Sequence, residues 1–201
     1  MSSEPFAGGP PDDELLAKMA AGDAAAFTAL FRRRQPQVYR FALHLTGSPA
    51  VAEDVTQDVF LTLIREPGRY VPGRSGVFPW LCGIARNHAR RRLARDSRLV
   101  ALAETEDGEP DIEAETGASH PLEALAQAEQ FRDLRRALMT LPLHYREVIA
   151  LCDLQELNYT DAAVALECAV GTVRSRLHRG RALLAAKLRA DGATEGKRCI
   201  A

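Results

Sequence analysis

Between residues 98 and 120 the chain loses every hydrophobic period and takes on Glu104, Glu106, Asp107, Glu109, Asp111, Glu113 and Glu115, with no Lys or Arg among them. Gly108, Pro110 and Gly117 interrupt any regular backbone such a stretch could hold. Carboxylates at this density repel one another and offer no apolar face to bury. The segment therefore reads as a flexible acidic linker and a domain boundary. Length alone leaves the domain count of a 201-residue chain open; a break at this place divides it into two small cores.

On both sides of the break apolar residues recur at helical spacing. The chain is rich in Ala, Leu and Arg, only 6% aromatic, and has none of the alternating Val, Ile and Thr runs that a sheet needs. The expected fold is all-α, two small helical domains joined by the acidic linker. Residues 1–11, with Ser, Gly and Pro prominent, read as a disordered lead. Asp12 is placed to cap a short helix ending near Gly22, with Leu15, Leu16 and Met19 on one side. Asp23 caps a longer one, 24–46, that Pro36 should kink or divide. Gly47 closes it and Ser48-Pro49 opens a helix to about Arg65. Pro67, Gly68, Pro72, Gly73 and Gly76 make 66–78 a loop, and Pro79 starts a helix to about Ser97. The first domain is thus 12–97 and the linker 98–120. The second domain, 121–189, carries helices at 121–139, 142–153, 159–166 and 170–189, before a frayed tail, 190–201.

Formal net charge is only −1, but its distribution is uneven. Arg86, Arg90, Arg91, Arg92, Arg95 and Arg98 crowd one stretch; Arg174, Arg176, Arg179, Arg181, Lys187 and Arg189 crowd another. Two basic surfaces on an acidic tether combine near-neutrality with strong local fields. No apolar run approaches the roughly 20 residues of a membrane span, and Met1 to Asp13 has neither a basic start nor an apolar signal core. The expectation is a cytoplasmic protein without membrane insertion. Cys82, Cys152, Cys168 and Cys199 lie far apart, with no Cys-x-x-Cys and no His at ligand spacing, so no metal, disulfide framework or cofactor is expected. A hydrolase using Cys82 with His88 lacks its context: there is no nucleophile elbow and no Gly-rich phosphate loop. The chain does not read as an enzyme.

Wound at about 100° per residue, Val170, Val173, Leu177, Gly180 and Leu184 share one face of the last helix, while Ser175, His178 and Arg179 point away, flanked by Arg174 and Arg176. With a short supporting helix ending at Leu166 and a tight turn at Glu167 to Ala169, this is the pattern of a helix that lies in a DNA major groove. On the helix from Pro79, Leu81, Ile84, Ala85, Ala89 and Leu93 form the apolar side. Gly83, Asn87, Arg90, Arg91 and Ala94 gather on what should be an open face, able to hydrogen-bond an exposed base and hold phosphates. Trp80, at its start, is placed for stacking or as an apolar anchor. The helix 49–64 is different: Glu53, Asp54, Gln57, Asp58 and Leu61 share a face that would repel phosphate and suits a basic protein surface.

These residues resemble a known family. Asp13-Glu14-Leu15-Leu16, Gly22-Asp23 with Ala26-Phe27, the run Ala52 to Phe60, Trp80-Leu81 and Ile84-Ala85-Arg86-Asn87 resemble region 2 of extracytoplasmic-function (ECF) sigma factors. Leu141-Pro142, Tyr145-Arg146-Glu147-Val148, Leu157-Asn158-Tyr159 and Val170 to Arg181 resemble region 4. The likeness covers roughly 12–97 and 121–188. It implies a sigma factor that binds core RNA polymerase and directs promoter-specific initiation, monomeric when free and silenced by an anti-sigma factor. It further implies that Asp54, Gln57, Asp58, Phe60 and Leu61 grip the polymerase's largest subunit. Trp80, Asn87, Arg90 and Arg91, with the loop 66–78, would capture a flipped base of the −10 element. Gly171, Thr172, Arg174, Ser175, His178 and Arg179 would read the −35 element, and the acidic linker would thread the RNA exit path. Cys152 stands where some members carry a DNA-contacting Arg, and His178 departs from the usual recognition helix. The rival reading is a stand-alone helix-turn-helix transcription regulator, which would bind duplex DNA without polymerase through a pseudo-symmetric dimer. The acidic helix and the second basic helix argue against it.

Overall fold

The computed structural model describes residues 9–102 and 132–198, with side chains placed for 9–95 except Pro67, and for 132–190. The acidic run from Glu104 to Glu115, residues 121–131 of the expected helix and Cys199 lie outside the described residues. All regular structure among the described residues is helical.

Helix α1 spans Asp12–Ala20, and its N-cap is Pro11 rather than Asp12. The Asp12 carboxylate instead binds Arg33 at 2.8 Å and Arg34 at 2.5 Å, pinning α1 to the next helix. Helix α2, Ala24–Thr46, starts where Asp23 accepts hydrogen bonds from the Ala25 and Ala26 amides at 2.8 and 3.1 Å. The expected division at Pro36 does not occur, and α2 runs as one element. Pro36 is exposed, so the carbonyl its ring leaves without an amide donor is on the solvent side, where water can serve it. Ser48 then accepts from the Val51 amide and opens α3, Pro49–Arg65.

A short 3-10 turn, Pro67–Arg69, begins the loop. Helix α4 starts at Val77, two residues before Pro79, and reaches Leu102, past the expected end near Ser97. Val77 and Phe78 are buried, and Pro79 lies in the first turn, where no amide is needed. Beyond residue 131 come α5 (132–139) and α6 (Leu143–Ile149), which winds on into a π-turn, Ala150–Leu154, where the Gln155 amide reaches back to the Ala150 carbonyl at 3.0 Å. Asn158 caps α7, Tyr159–Leu166, at the Asp161 amide. Helix α8 runs Val170–Arg198, so the tail expected to fray from residue 190 is helical to 198.

Leu30, Val38, Phe41, Leu45, Leu63 and Leu81 fill the space among α2, α3 and α4, while Leu138, Ile149, Leu151, Leu166 and Leu177 do so among α5 to α8. The two sets join in a single apolar cluster, because α4 lies along α7 and the C-terminal end of α2 meets α6. Arg146 of α6 makes the second junction, donating to the Leu45 carbonyl at 2.5 Å, one of the last four carbonyls of α2 that no amide of that helix reaches.

Candidate functional site

Three surfaces gather the residues singled out in the sequence. The first is the α7–turn–α8 unit. Glu167 takes the left-handed conformation (φ 52°) and turns the chain within three residues. Val173, Leu177 and Gly180 are buried, and Arg174, Ser175, His178 and Arg179 are exposed in a row on the opposite side, with Gly171 exposed and Thr172 half-buried at the helix start. The Ser175 hydroxyl donates to the Thr172 carbonyl at 3.0 Å. The Arg174 guanidinium lies 5.8 Å from the Tyr159 ring centre, held over its face by a cation–π contact. Gly180 permits the close seating of α8: a β-carbon there would stand 3.1 Å from Ile149 Cδ1 and 3.3 Å from Tyr145 Cβ.

The second surface is α3. Glu53, Asp54, Gln57 and Leu61 are exposed and Asp58 is half-buried. Arg92 of α4, which the sequence places only in a basic stretch, forks between two of these carboxylates, donating to Asp54 and Asp58 at 2.8 Å each. The hydrogen bond that Arg92 donates to Asp58 is the foremost reason its pKa is raised. His88 stands 3.5 Å from Asp58, and burial lowers its pKa although the carboxylate pulls the other way. Phe60 is a correction. It is 3% exposed and therefore not on the outer face. One position past Val59 and three before Leu63, it turns inward, where the rings of Phe27 and Phe31 meet it with centroids at 6.4 and 4.7 Å. The apolar groups that do reach solvent beside the acidic row are Phe31, Leu61 and Ile64.

The third surface belongs to α4 and the loop before it. Trp80 is half-buried, its ring tilted against Tyr70 with centroids 5.3 Å apart. The Tyr70 hydroxyl lies against the Asp13 carboxylate and 2.8 Å from the Ser75 carbonyl, tying loop, α1 and Trp80 together. Burial first, then Asp13, pushes the phenol pKa up, so the hydroxyl keeps its proton. Tyr70 gave no signal in the sequence beyond being an aromatic in a Gly/Pro-rich loop. The face of α4 expected to be open is partly covered. Asn87 and Arg90 are half-buried and only Arg91, with Ala94, is exposed. A β-carbon at Gly83 would meet the Ala165 carbonyl oxygen of α7 at 3.4 Å. Arg90 donates through Nε and Nη2 to the two carboxylate oxygens of Glu147, at 2.5 and 2.9 Å, and Arg86 adds a third bond at 3.2 Å. Periodicity along α4 could not reveal this, because the partner is 57 residues away in α6.

Among the described residues no group of His, Cys, Asp or Glu could hold a metal ion, and no helix is long and apolar enough to cross a membrane. Burial raises the thiol pKa of Cys82, and that of Cys152 to about 11, so neither is a ready nucleophile.

A helix-turn-helix with a basic outer row, behind a helical block bearing acidic and basic faces, is the arrangement of a DNA-reading protein. The family model for Sigma-70 region 2 matches residues 30–99, and that for Sigma-70, region 4 matches 131–184. The ECF sigma factor SigM of Mycobacterium tuberculosis is 36% identical over 87% of this chain and 83% of its own. SigE of Mycolicibacterium smegmatis is 35% identical over 81% of this chain, a match spanning 62% of the relative's length. Among solved structures, the sigma factor RpoE in complex with the anti-sigma factor NepR from Bartonella quintana superposes with a TM-score of 0.67 at 27% identity, over 82% of this chain and 98% of that one. CnrH in complex with the cytosolic domain of CnrY gives 0.65 at 27% identity, over 90% and 98%. The chain belongs to the sigma-70 family, as an ECF RNA polymerase sigma factor with regions 2 and 4. It is a transcription initiation factor and not an enzyme.

Proposed function

We propose that the chain divides promoter recognition among its three surfaces, with core RNA polymerase supplying the remaining affinity. Region 4 (121–189) reads the −35 element through Arg174, Ser175, His178 and Arg179, with Gly171 and Thr172 at the helix start. The observation that carries this is the exposed row on α8 backed by buried Val173, Leu177 and Gly180. Region 2, from Asp12 to the end of α4, docks on polymerase through Asp54, Gln57, Asp58 and Leu61, joined by Phe31 and Ile64 in place of the buried Phe60. Trp80, Asn87, Arg90 and Arg91 take the −10 strand, where unstacking a base costs a few kcal/mol that pocket and stacking contacts offset. Neither basic surface alone neutralises enough phosphates for tight binding, and the acidic segment between the two regions lets both engage at once, the second profiting from effective concentration. The superposition on RpoE and CnrH, each solved with an anti-sigma partner or its CnrY counterpart, supports a similar protein inhibitor for this chain.

Run-off transcription with core polymerase, with and without the chain, on a promoter library tests the proposal. Asp54→Ala with Gln57→Ala should abolish core binding while sparing the fold. Arg174→Ala with Arg179→Ala should leave the core complex intact and impair initiation from promoters that depend on a −35 element. Identical behaviour of the two pairs would overturn the assignment of faces.

A further inference from the structure

The arc from Val71 to Arg74 leaves the body of region 2 at Tyr70 and rejoins it at Ser75, and one phenol holds both ends. The Tyr70 hydroxyl lies 2.8 Å from the Ser75 carbonyl across the arc, and against the Asp13 carboxylate of α1. Its ring rests on Trp80 at the start of α4. Between these ends Pro72 fixes its own φ, and Gly73 turns the chain at φ 83°, where a side chain would be strained. The arc therefore has few shapes open to it, and it presents Val71 to solvent, 59% exposed. Asp13 is itself held in place. Its neighbour Asp12 binds Arg33 and Arg34 of α2, Leu15 and Leu16 are buried, and the Arg34 guanidinium stands 5.5 Å from the ring centre of Phe78, buried in the first turn of α4. Two consecutive carboxylates of α1 thus fix both sides of the loop, Asp12 the start of α4 by way of Arg34 and Asp13 the arc by way of Tyr70.

We infer that Asp13 and Tyr70 are positioning residues for the choice of the −10 base: α1, through the Tyr70 hydroxyl, sets the path of Val71 to Arg74 and so the shape of the surface that a flipped base meets, without Asp13 itself touching DNA. The inference rests on the proposed −10 role of the loop and adds to it a helix, α1, to which that role assigned nothing. An arc of four residues pivots about its ends, so a shift of Tyr70 moves Val71, its direct neighbour in the chain. The docking face on α3 and the −35 row on α8 stand on other helices and do not follow that shift. Base selectivity, and not only stability, therefore depends on the tie.

The test is run-off transcription with core polymerase and the full chain on promoters that differ only in the base at one −10 position, read as the ratio of product from the preferred base to product from the next. Tyr70→Phe keeps the ring on Trp80 and removes the hydroxyl, and Asp13→Ala removes the exposed acceptor on α1. Each should lower the ratio about threefold or more, the scale of one net hydrogen bond, while core binding and the response to the −35 element stay as in wild type. Asp13→Asn keeps a carbonyl acceptor and should stay near the wild-type ratio. The double variant Asp13→Ala with Tyr70→Phe should be no worse than Tyr70→Phe alone, because both changes break one contact. The inference is overturned if output falls by the same factor on every promoter, or if the ratio does not move. It is also overturned if Asp13→Asn behaves as Asp13→Ala does, or if the two losses multiply in the double variant. Should Asp13→Ala lose α1, seen as reduced helical circular dichroism, Tyr70→Phe and Asp13→Asn decide the matter. Failure of the −10 reading itself registers separately, as a wild-type chain indifferent to the base at every −10 position.

Discussion

His44 sits near the C-terminal end of α2 with its Nδ1 buried and no hydrogen-bond partner among the described residues. Burial, aided by the positive charges of Arg135 and Arg40, lowers its pKa to about 4. A histidine with a depressed folded pKa binds fewer protons folded than unfolded between pH 4 and its ordinary value of about 6.5. Above that value its burial carries no protonation cost, and stability is lost as pH falls through 6.5 toward 4. By pH 5 the loss is about 2 kcal/mol, from about 1.4 kcal/mol per pH unit between the two pKa values. Urea unfolding of wild type and His44→Leu at pH 7 and pH 5 should show this loss in wild type and not in the variant. A loss of equal size in both would assign the acid sensitivity to other groups.

At the scale of the element, the seat of α8 is set by Gly180. Any side chain there enters the space of Ile149 and Tyr145 on α6. Gly180→Val should push α8 outward and destabilise region 4 by roughly 1–3 kcal/mol, the usual cost of overpacking, less the few tenths of a kcal/mol that Val gains over Gly in helix propensity. Because Arg174, Ser175, His178 and Arg179 ride on the same helix, binding of core-bound protein to −35 duplex should weaken while core binding is retained, as a mobility-shift titration would show. This element was legible in the sequence. Val173, Leu177 and Gly180 fall on one helical stripe, and Asp23, Ser48 and Asn158 announce helix starts through local hydrogen bonds. Phe60 was misplaced because a motif names a position without saying which way it faces; the stripe through Val55, Val59 and Leu63 is the better guide. The second face of α4 was illegible for another reason. Arg86 and Arg90 look solvated in any local reading, and only a carboxylate brought from α6 by the fold reveals that they are paired and that Arg86 is buried.

For the molecule as a whole, the question is whether the two regions unfold as one. Their apolar clusters are continuous, and polar ties cross between them among the described residues, Glu147 with the α4 arginines and Arg146 with the end of α2. Arg146 is the more exacting tie. One Nη donates to the Leu45 carbonyl of region 2, the other to the Met139 and Leu141 carbonyls of region 4, at 3.2 and 3.1 Å. Burial lowers its pKa while Glu147 beside it opposes the shift. With Arg146 in place, fluorescence of Trp80 in region 2 and helical circular dichroism of the whole chain should trace one denaturant transition. Arg146→Met keeps much of the side-chain volume but leaves three carbonyls without a charged donor, at a cost of roughly 2–4 kcal/mol, since one hydrogen bond to a charged group contributes about 1.5–3 kcal/mol. The loss falls on the junction as well as on region 4, so the fluorescence and dichroism curves should separate, with region 4 melting first. If they instead shift together by that amount, the α4–α7 contact alone suffices to couple the regions, and Arg146 stabilises the molecule without joining its halves.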